Sequence, residues 1–380
     1  VVPVYRARLP AAEAILPYLR QIDASGQYSN RGPLVWAFER RLDSLLGGNA
    51  AHVVSAASGT AAIAAAILAT AGPASAAAPL ALMPSYTFVA TAQAAELCGY
   101  RPWFVDVDAA GWALDPIRLR TNPQLGPAGV VVVAAPYGRL PDIEGWTRFA
   151  ADTGRAVVID AAASVEALAR RVEATPDAPV GVPVAVSLHA TKPLACGEGG
   201  LVLWSDRTGL ERVARALNFG FLGSRSAQSA GFNGKMSEYH AAVGLAALDG
   251  WGARRSAVAR LHARMARMIQ ARGLGPRLVA WPDIASCYLL HDAGEAGDPA
   301  ARTQTLARRL DESRIEHRFW YGGGVHREPV FLGRDGCDAL PVTEALAMRL
   351  LGIPVRAPGG GDAEDEAVAA RVFDAMEQVP

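Results

Sequence analysis

Ser187-Leu-His-Ala-Thr-Lys192-Pro-Leu-Ala-Cys-Gly-Glu-Gly-Gly200 is the stretch on which the reading of this chain turns. Apolar residues lead into it (Val182, Val184, Val186) and away from it (Leu201, Val202, Leu203, Trp204). The pattern predicts strand, polar turn, strand, with Lys192 carried on the turn between two buried strands. Desolvation disfavours an ammonium ion in such a place, and a lysine of that kind suits Schiff-base chemistry with a carbonyl compound. Gly197, Gly199 and Gly200 leave room for a bulky group close to the backbone. A lone lysine in a glycine-rich hairpin is most often a plain surface residue, so the rest of the chain has to decide.

Working outward, His52-Val-Val is a short strand followed by Ser55-Ala-Ala-Ser58-Gly59-Thr60 and a helix through residue 71. Strand, small hydroxyl-bearing turn and helix can hold a phosphate on the amides of the first helical turn. Taken alone, Ser-Gly-Thr is more simply an ordinary N-cap by Ser58 with no ligand. Residues 79–83 form a strand, and Pro84-Ser-Tyr-Thr-Phe88-Val-Ala-Thr91 is expected to begin a helix, with Phe88 either core or a flat cover for a ring. Strands follow at 103–107, 130–134 and 156–159, the second apolar throughout and so covered on both faces. Asp160 closes the third, at the carboxyl end where ligands of open α/β sheets gather. The alternation to about residue 205 predicts an α/β fold with a large, doubly wound, mainly parallel sheet and an antiparallel strand at 201–204.

At the N-terminus, residues 11–24 carry an apolar helical face interrupted by Pro17. The loop at 26–33 holds Tyr28, Asn30 and Arg31, candidates for substrate contact. A helix then starts at Pro33 and ends at Gly47-Gly48. Asn233-Gly234 marks a turn ahead of a helix opening at Met236. An arginine-rich helix covers 251–273, a strand 287–290, a helix 300–313 and a last amphipathic helix 363–377, after a glycine joint at 359–362. The expected division is a large domain with an N-terminal arm over 1–250 and a smaller α+β domain over 251–380.

The totals exclude several classes. Among 380 residues, 37 Lys plus Arg balance 37 Asp plus Glu, so no bulk charge draws the chain to nucleic acid or to an anionic membrane. Cys98, Cys196, Cys287 and Cys337 form no Cys-x-x-Cys pair, which argues against a disulfide framework or a zinc site and fits a reducing cytoplasm. The alanine-rich run at 61–81 is broken by Gly72, Pro73 and Pro79, so no segment is expected to span a bilayer. No Gly-x-Gly-x-x-Gly lies between an early strand and helix, which disfavours a nicotinamide dehydrogenase.

A turn-borne lysine, a strand-end carboxylate, a phosphate-type turn and an aromatic lid together meet the needs of pyridoxal 5′-phosphate. Its aldehyde takes a lysine, its pyridine nitrogen a carboxylate, its phosphate a helix N-terminus and its ring a flat cover. Here the sequence resembles the DegT/DnrJ/StrS sugar aminotransferases of the fold type I pyridoxal-phosphate superfamily. The matching blocks are Ser29-Asn-Arg-Gly-Pro33, Ser58-Gly-Thr60, Pro84-Ser-Tyr-Thr-Phe88, Phe104-Val-Asp-Val-Asp108, Asp160-Ala-Ala162, the stretch 187–200, the stretch 231–242 and Leu340-Pro-Val-Thr-Glu344.

The resemblance implies that Lys192 carries the Schiff base, Asp160 meets the pyridine nitrogen, Ser58, Gly59, Thr60 and Ser187 serve the phosphate, and Phe88 stacks on the ring. It also implies a homodimer in which Asn233 reaches the partner's site. The implied reaction moves an amino group, commonly from L-glutamate, to a nucleotide-linked keto sugar, with pyridoxamine phosphate formed between two half-reactions. Relatives that dehydrate sugars have histidine in place of the lysine. This chain departs from the family at Ala163, where relatives have histidine or glutamine, and across 165–182, which lacks a common glycine-rich hairpin. Rival readings are a transaminase for a cyclitol or another small ketone, and a non-catalytic regulatory relative.

Overall fold

The computed structural model describes residues 1–279, 288–295, 297–334, 336–354 and 361–379. Seven strands make the main sheet: β1 (His52–Ala56), β2 (Leu80–Pro84), β3 (Arg101–Val105), β4 (Ala128–Ala134), β5 (Ala156–Asp160), β6 (Val184–Ser187) and β7 (Gly200–Trp204). Their spatial order is β1-β7-β6-β5-β4-β2-β3. β7 is antiparallel to both β1 and β6, while the pairs from β6 across to β3 are parallel. Every strand except β7 therefore points the same way, and the carboxyl ends of β1, β2, β5 and β6 share an edge with the start of β7.

The valines of β4 show why the sheet is covered twice. Val131 and Val133 join Leu80, Leu82, Trp146 and Phe149 in one buried cluster. Val130 and Val132 face the other way, into a cluster with Met83 and the alanines of the helix Gly59–Thr70. A period of two with no polar position leaves neither face open to water. Alanine suits that helix because a small side chain brings its axis close to the sheet, and Ala62, Ala64, Ala65 and Ala66 have no exposed surface.

Several boundaries differ from expectation. The helix after β2 is Ala90–Leu97 and does not begin near Pro84, which is the last residue of β2. The residues between turn sharply, with the Thr87 amide donating to the Ser85 carbonyl at 3.0 Å. β3 begins at Arg101 and ends at Val105, two residues before the expected strand at each end. The helix expected from Met236 starts at Glu238, where the Ser237 side chain accepts the His240 amide. The helix from Pro33 ends in a widened turn, Asp43–Gly47.

Beyond the main sheet, β8 (Tyr288–Asp292) and β9 (Leu350–Pro354) form an antiparallel pair. The expected strand at 287–290 starts at Cys287, outside the described residues, as do Gly359 and Gly360 of the joint. A third apolar cluster joins Leu261, Leu306, Leu310, Ile353 and Phe373 with Val2 from the N-terminus. Among the described residues no helix is long and apolar enough to cross a membrane.

Candidate active site

Asp160 is carried to the carboxyl edge by β5, and its side chain is enclosed there. Its Oδ2 accepts the hydroxyl of Thr91 at 2.7 Å, and its Oδ1 accepts the Ala162 amide at 3.1 Å. Burial pushes this carboxyl above its ordinary range, opposed by those two hydrogen bonds and by the charge of Lys192. Lys192 sits on the hairpin between β6 and β7, a loop closed by Leu188 amide to Gly199 carbonyl and Ala190 amide to Gly197 carbonyl, both at 2.8 Å. Burial pulls its ammonium below the ordinary lysine range, and Asp160 opposes that pull. The two groups therefore act on each other across the edge. Cys196, four residues on, is buried with its thiol pushed up to about 12, which makes it a filler and not a nucleophile.

Beside this pair lies a backbone cradle. Ser58 caps the helix Gly59–Thr70, its hydroxyl accepting the Ala61 amide at 3.1 Å. The amides of Gly59 and Thr60 find no acceptor among the described residues. A Cβ on Gly59 would lie 2.8 Å from Ser187 Cβ, and one on Gly200 would lie 2.4 Å from the Ser58 carbonyl oxygen. The helix start, the end of β6 and the start of β7 thus converge so tightly that only glycine fits at both places. Open amides at a helix N-terminus suit a phosphate dianion.

The rim is aromatic. Phe88, just past β2, is 64% exposed. Tyr28 and Tyr239 stack with ring centroids 6.3 Å apart. A separate tyrosine cluster lies in largely buried surroundings. The hydroxyls of Tyr86 and Tyr137 are 2.8 Å apart, and Tyr321 packs edge-on against Tyr86 at 5.1 Å. The Tyr137 amide donates to the Tyr321 hydroxyl at 3.4 Å. Burial pushes the Tyr321 phenol above its usual range, and the charge of Asp160 adds to that.

An amine coupled by charge to a buried acid, open helical amides and an uncovered aromatic side chain are the donor set that pyridoxal phosphate requires, so the residues present fit that group. Comparison with known proteins bears directly on this. The profile of the DegT/DnrJ/EryC1/StrS aminotransferase family matches residues 11–373. The chain belongs to that family. Protein MT3510 of Mycobacterium tuberculosis is 31% identical over 366 residues, which is 93% of this chain and 85% of that protein. A putative PLP-dependent aminotransferase from Bacillus cereus superposes with a TM-score of 0.86 at 27% identity, covering 98% of this chain and 99% of the other. DesI, crystallised in the presence of its TDP-sugar product, superposes with a TM-score of 0.80 at 27% identity over 98% and 92% of the two chains. The protein is accordingly a pyridoxal-phosphate-dependent aminotransferase with the fold type I architecture expected from the sequence.

Of the candidate residues of this aminotransferase, Lys192, Asp160, Ser58, Gly59 and Ser187 lie on one edge of the sheet. Thr60 stands with them in the first helical turn. Asn233 is held within its own chain: its Oδ1 accepts the Lys235 ammonium at 2.9 Å, and the neighbouring Gly234 carbonyl accepts the Ala57 amide at 2.7 Å. Asn30 and Arg31 occupy left-handed backbone, φ 63° and 59°. The Arg31 guanidinium is engaged by Glu39 at 2.7 Å and lies 4.3 Å from the Trp36 ring centre.

Sequence reasoning passed over four groups. Thr91 holds Asp160 and Thr87 meets Thr91, and their positions just after a strand that ends on the working edge were the available signal. Glu238 is fully buried and accepts the amides of Leu34 and Val35 at 2.7 and 3.1 Å, capping the helix that follows the 26–33 loop. Glu39 accepts the Ser55 amide and hydroxyl, both at 2.8 Å, tying that helix to β1. Nothing local in the sequence announces either carboxylate.

Proposed function

We propose that this aminotransferase moves an amino group from an amino acid, L-glutamate first among them, to a keto sugar linked to a nucleotide, in two half-reactions at one site. The observation that carries the proposal is the mutual effect of the desolvated Lys192 amine and the buried Asp160 carboxylate beside the open Gly59 and Thr60 amides. Bound there, pyridoxal phosphate supplies the electron sink that makes a substrate Cα–H bond acidic.

Lys192 would hold the cofactor aldehyde, and its Nζ is the group that would take the substrate Cα proton. A depressed ammonium pKa favours the neutral amine that this step needs. Asp160 would accept a hydrogen bond from the proton-bearing ring nitrogen. Ser58, Gly59, Thr60 and Ser187 bind the phosphate, joined by Asn233 from the second subunit of a homodimer. Phe88 covers the ring. Tyr28 and Asn30 meet the substrate, and Arg31 shapes the loop that carries them. Exposed Phe219, Leu222 and Tyr239, on either side of Asn233 in sequence, support a subunit contact there. A relative solved with its TDP-sugar product supports a nucleotide-linked acceptor. We also retain the division into domains over 1–250 and 251–380, supported by the separate apolar cluster drawn largely from residue 261 onward.

A second reading, transamination of a cyclitol or small ketone, draws on Ala163, three positions after Asp160, where the family resemblance leads one to expect histidine or glutamine. Incubation with ¹⁵N-labelled glutamate and separate nucleotide-sugar ketones and free ketones tests both. Label in a nucleotide-linked aminosugar is the expected result, and label only in free cyclitol or ketone products would replace the first reading with the second. Absence of transfer from any amino acid would overturn both.

A further inference from the structure

Asp160 has to be ionised, oriented and out of water at once, and burial opposes the first of these. The titratable groups coupled to it by charge are Lys192, from the hairpin, and Tyr321, from beyond the helix Pro299–Glu312. Its hydrogen bond from the Ala162 amide belongs to the local turn and would survive most substitutions. The bond from Thr91 is different, because it comes from another element, the first turn of the helix Ala90–Leu97, 69 residues away in the chain.

A threonine hydroxyl has a single proton. Thr91 gives its proton to Asp160 Oδ2, so towards Thr87 Oγ1, 2.9 Å away, it can only accept. The relay therefore runs in one direction, from Thr87 to Thr91 to Asp160, and all three side chains are buried. Bonds in such a chain polarise one another, and the last one favours the charged carboxylate.

We infer that Thr91, steadied by Thr87, is a positioning residue of this enzyme: it fixes the rotation of the Asp160 carboxylate and keeps it an anion for the ring nitrogen of the cofactor. The inference rests on the role proposed for Asp160. Thr91→Val keeps the shape and removes the hydroxyl, whereas Thr91→Ser keeps the hydroxyl and removes a methyl. The measurements are the pyridoxal-phosphate affinity of the full-length protein, by fluorescence titration after stripping and reloading, and the pH titration of the bound cofactor's absorbance.

A hydrogen bond to a charged group is worth about 1.5–3 kcal/mol, so Thr91→Val is expected to weaken cofactor binding about ten- to a hundredfold and to shift the absorbance titration. Thr91→Ser should stay within about threefold of the unmodified protein, and Thr87→Val should move both readouts the same way as Thr91→Val by less. Unchanged affinity and titration in Thr91→Val, or equal damage in Thr91→Ser, would overturn the inference. Asp160→Ala separates the two layers. If it weakens cofactor binding while Thr91→Val does not, only the role of Thr91 fails; if it too has no effect, the role of Asp160 fails.

Discussion

Asp160 is 7% exposed and Phe88 is 64% exposed, although one ends and the other follows a strand that reaches the same edge of one sheet. The Asp160 carboxylate is held by two hydrogen bonds and a neighbouring charge. Around Phe88 and Tyr28 the rings stand open. A buried polar network tolerates little change, because an unpaired member is left with its full desolvation cost. An exposed ring offers flat area to a ligand or to a second subunit and loses only that contact when removed. The floor of the site is thus built to hold one group in one way, and the rim is built to be varied.

The contrast gives an order of expected effects. Lys192→Ala should reduce transamination by more than about a thousandfold and abolish any borohydride-reducible link to the cofactor. The chain contains just two lysines, Lys192 and Lys235, so peptide mapping after reduction has a clean alternative. Label on Lys235 would move the chemistry off the floor. Gly59→Ala forces a Cβ to 2.8 Å from Ser187 Cβ. It should weaken cofactor binding about tenfold, a loss close to one good hydrogen bond to an anion. Wild-type affinity in that variant would show that the cradle yields as easily as the rim. Phe88→Ala should cost about 1 kcal/mol, or roughly fivefold in cofactor affinity, with the melting temperature unchanged. A large fall in stability would make Phe88 part of the core.

The smallest effect concerns stability against pH in the cofactor-free protein. Burial raises the Asp160 carboxyl above the ordinary 3.8, so the folded chain holds this proton more tightly than the unfolded one. The stabilisation is fully present below about 3.8 and is lost as pH climbs through the raised value. Urea unfolding of the unmodified protein and Asp160→Asn should therefore give a stability difference that declines with rising pH across the acid range and then levels. A flat difference would place Asp160 in water, like the rim.

Much of the floor was legible because its residues come in short blocks with local causes. A polar turn between two apolar runs located Lys192, and an acid closing an apolar strand located Asp160. Helix starts were harder. Pro84 suggested a helical first turn, yet it ends β2, since a proline at a strand end sacrifices no ladder bond that the neighbours need. The supporting groups were illegible for a different reason. Thr91 meets Asp160 over 69 residues and Glu238 meets Leu34 over 204, so each depends on how elements dock and not on any periodicity. The ion pair between Arg31 and Glu39 was illegible for the same reason, since it joins a loop residue to the helix that follows.

Ser187 and Gly200 are register partners across β6 and β7, so the loop between them leaves and re-enters the sheet at neighbouring positions. Lys192 hangs from two moorings and not from one, and its arc is set by the length of both lines. Adding a residue to either leg would slacken the suspension without touching any partner of the amine, and turnover should suffer while the sheet stays whole. On the role proposed for Lys192, loop length is then as much a determinant of the site as any side chain.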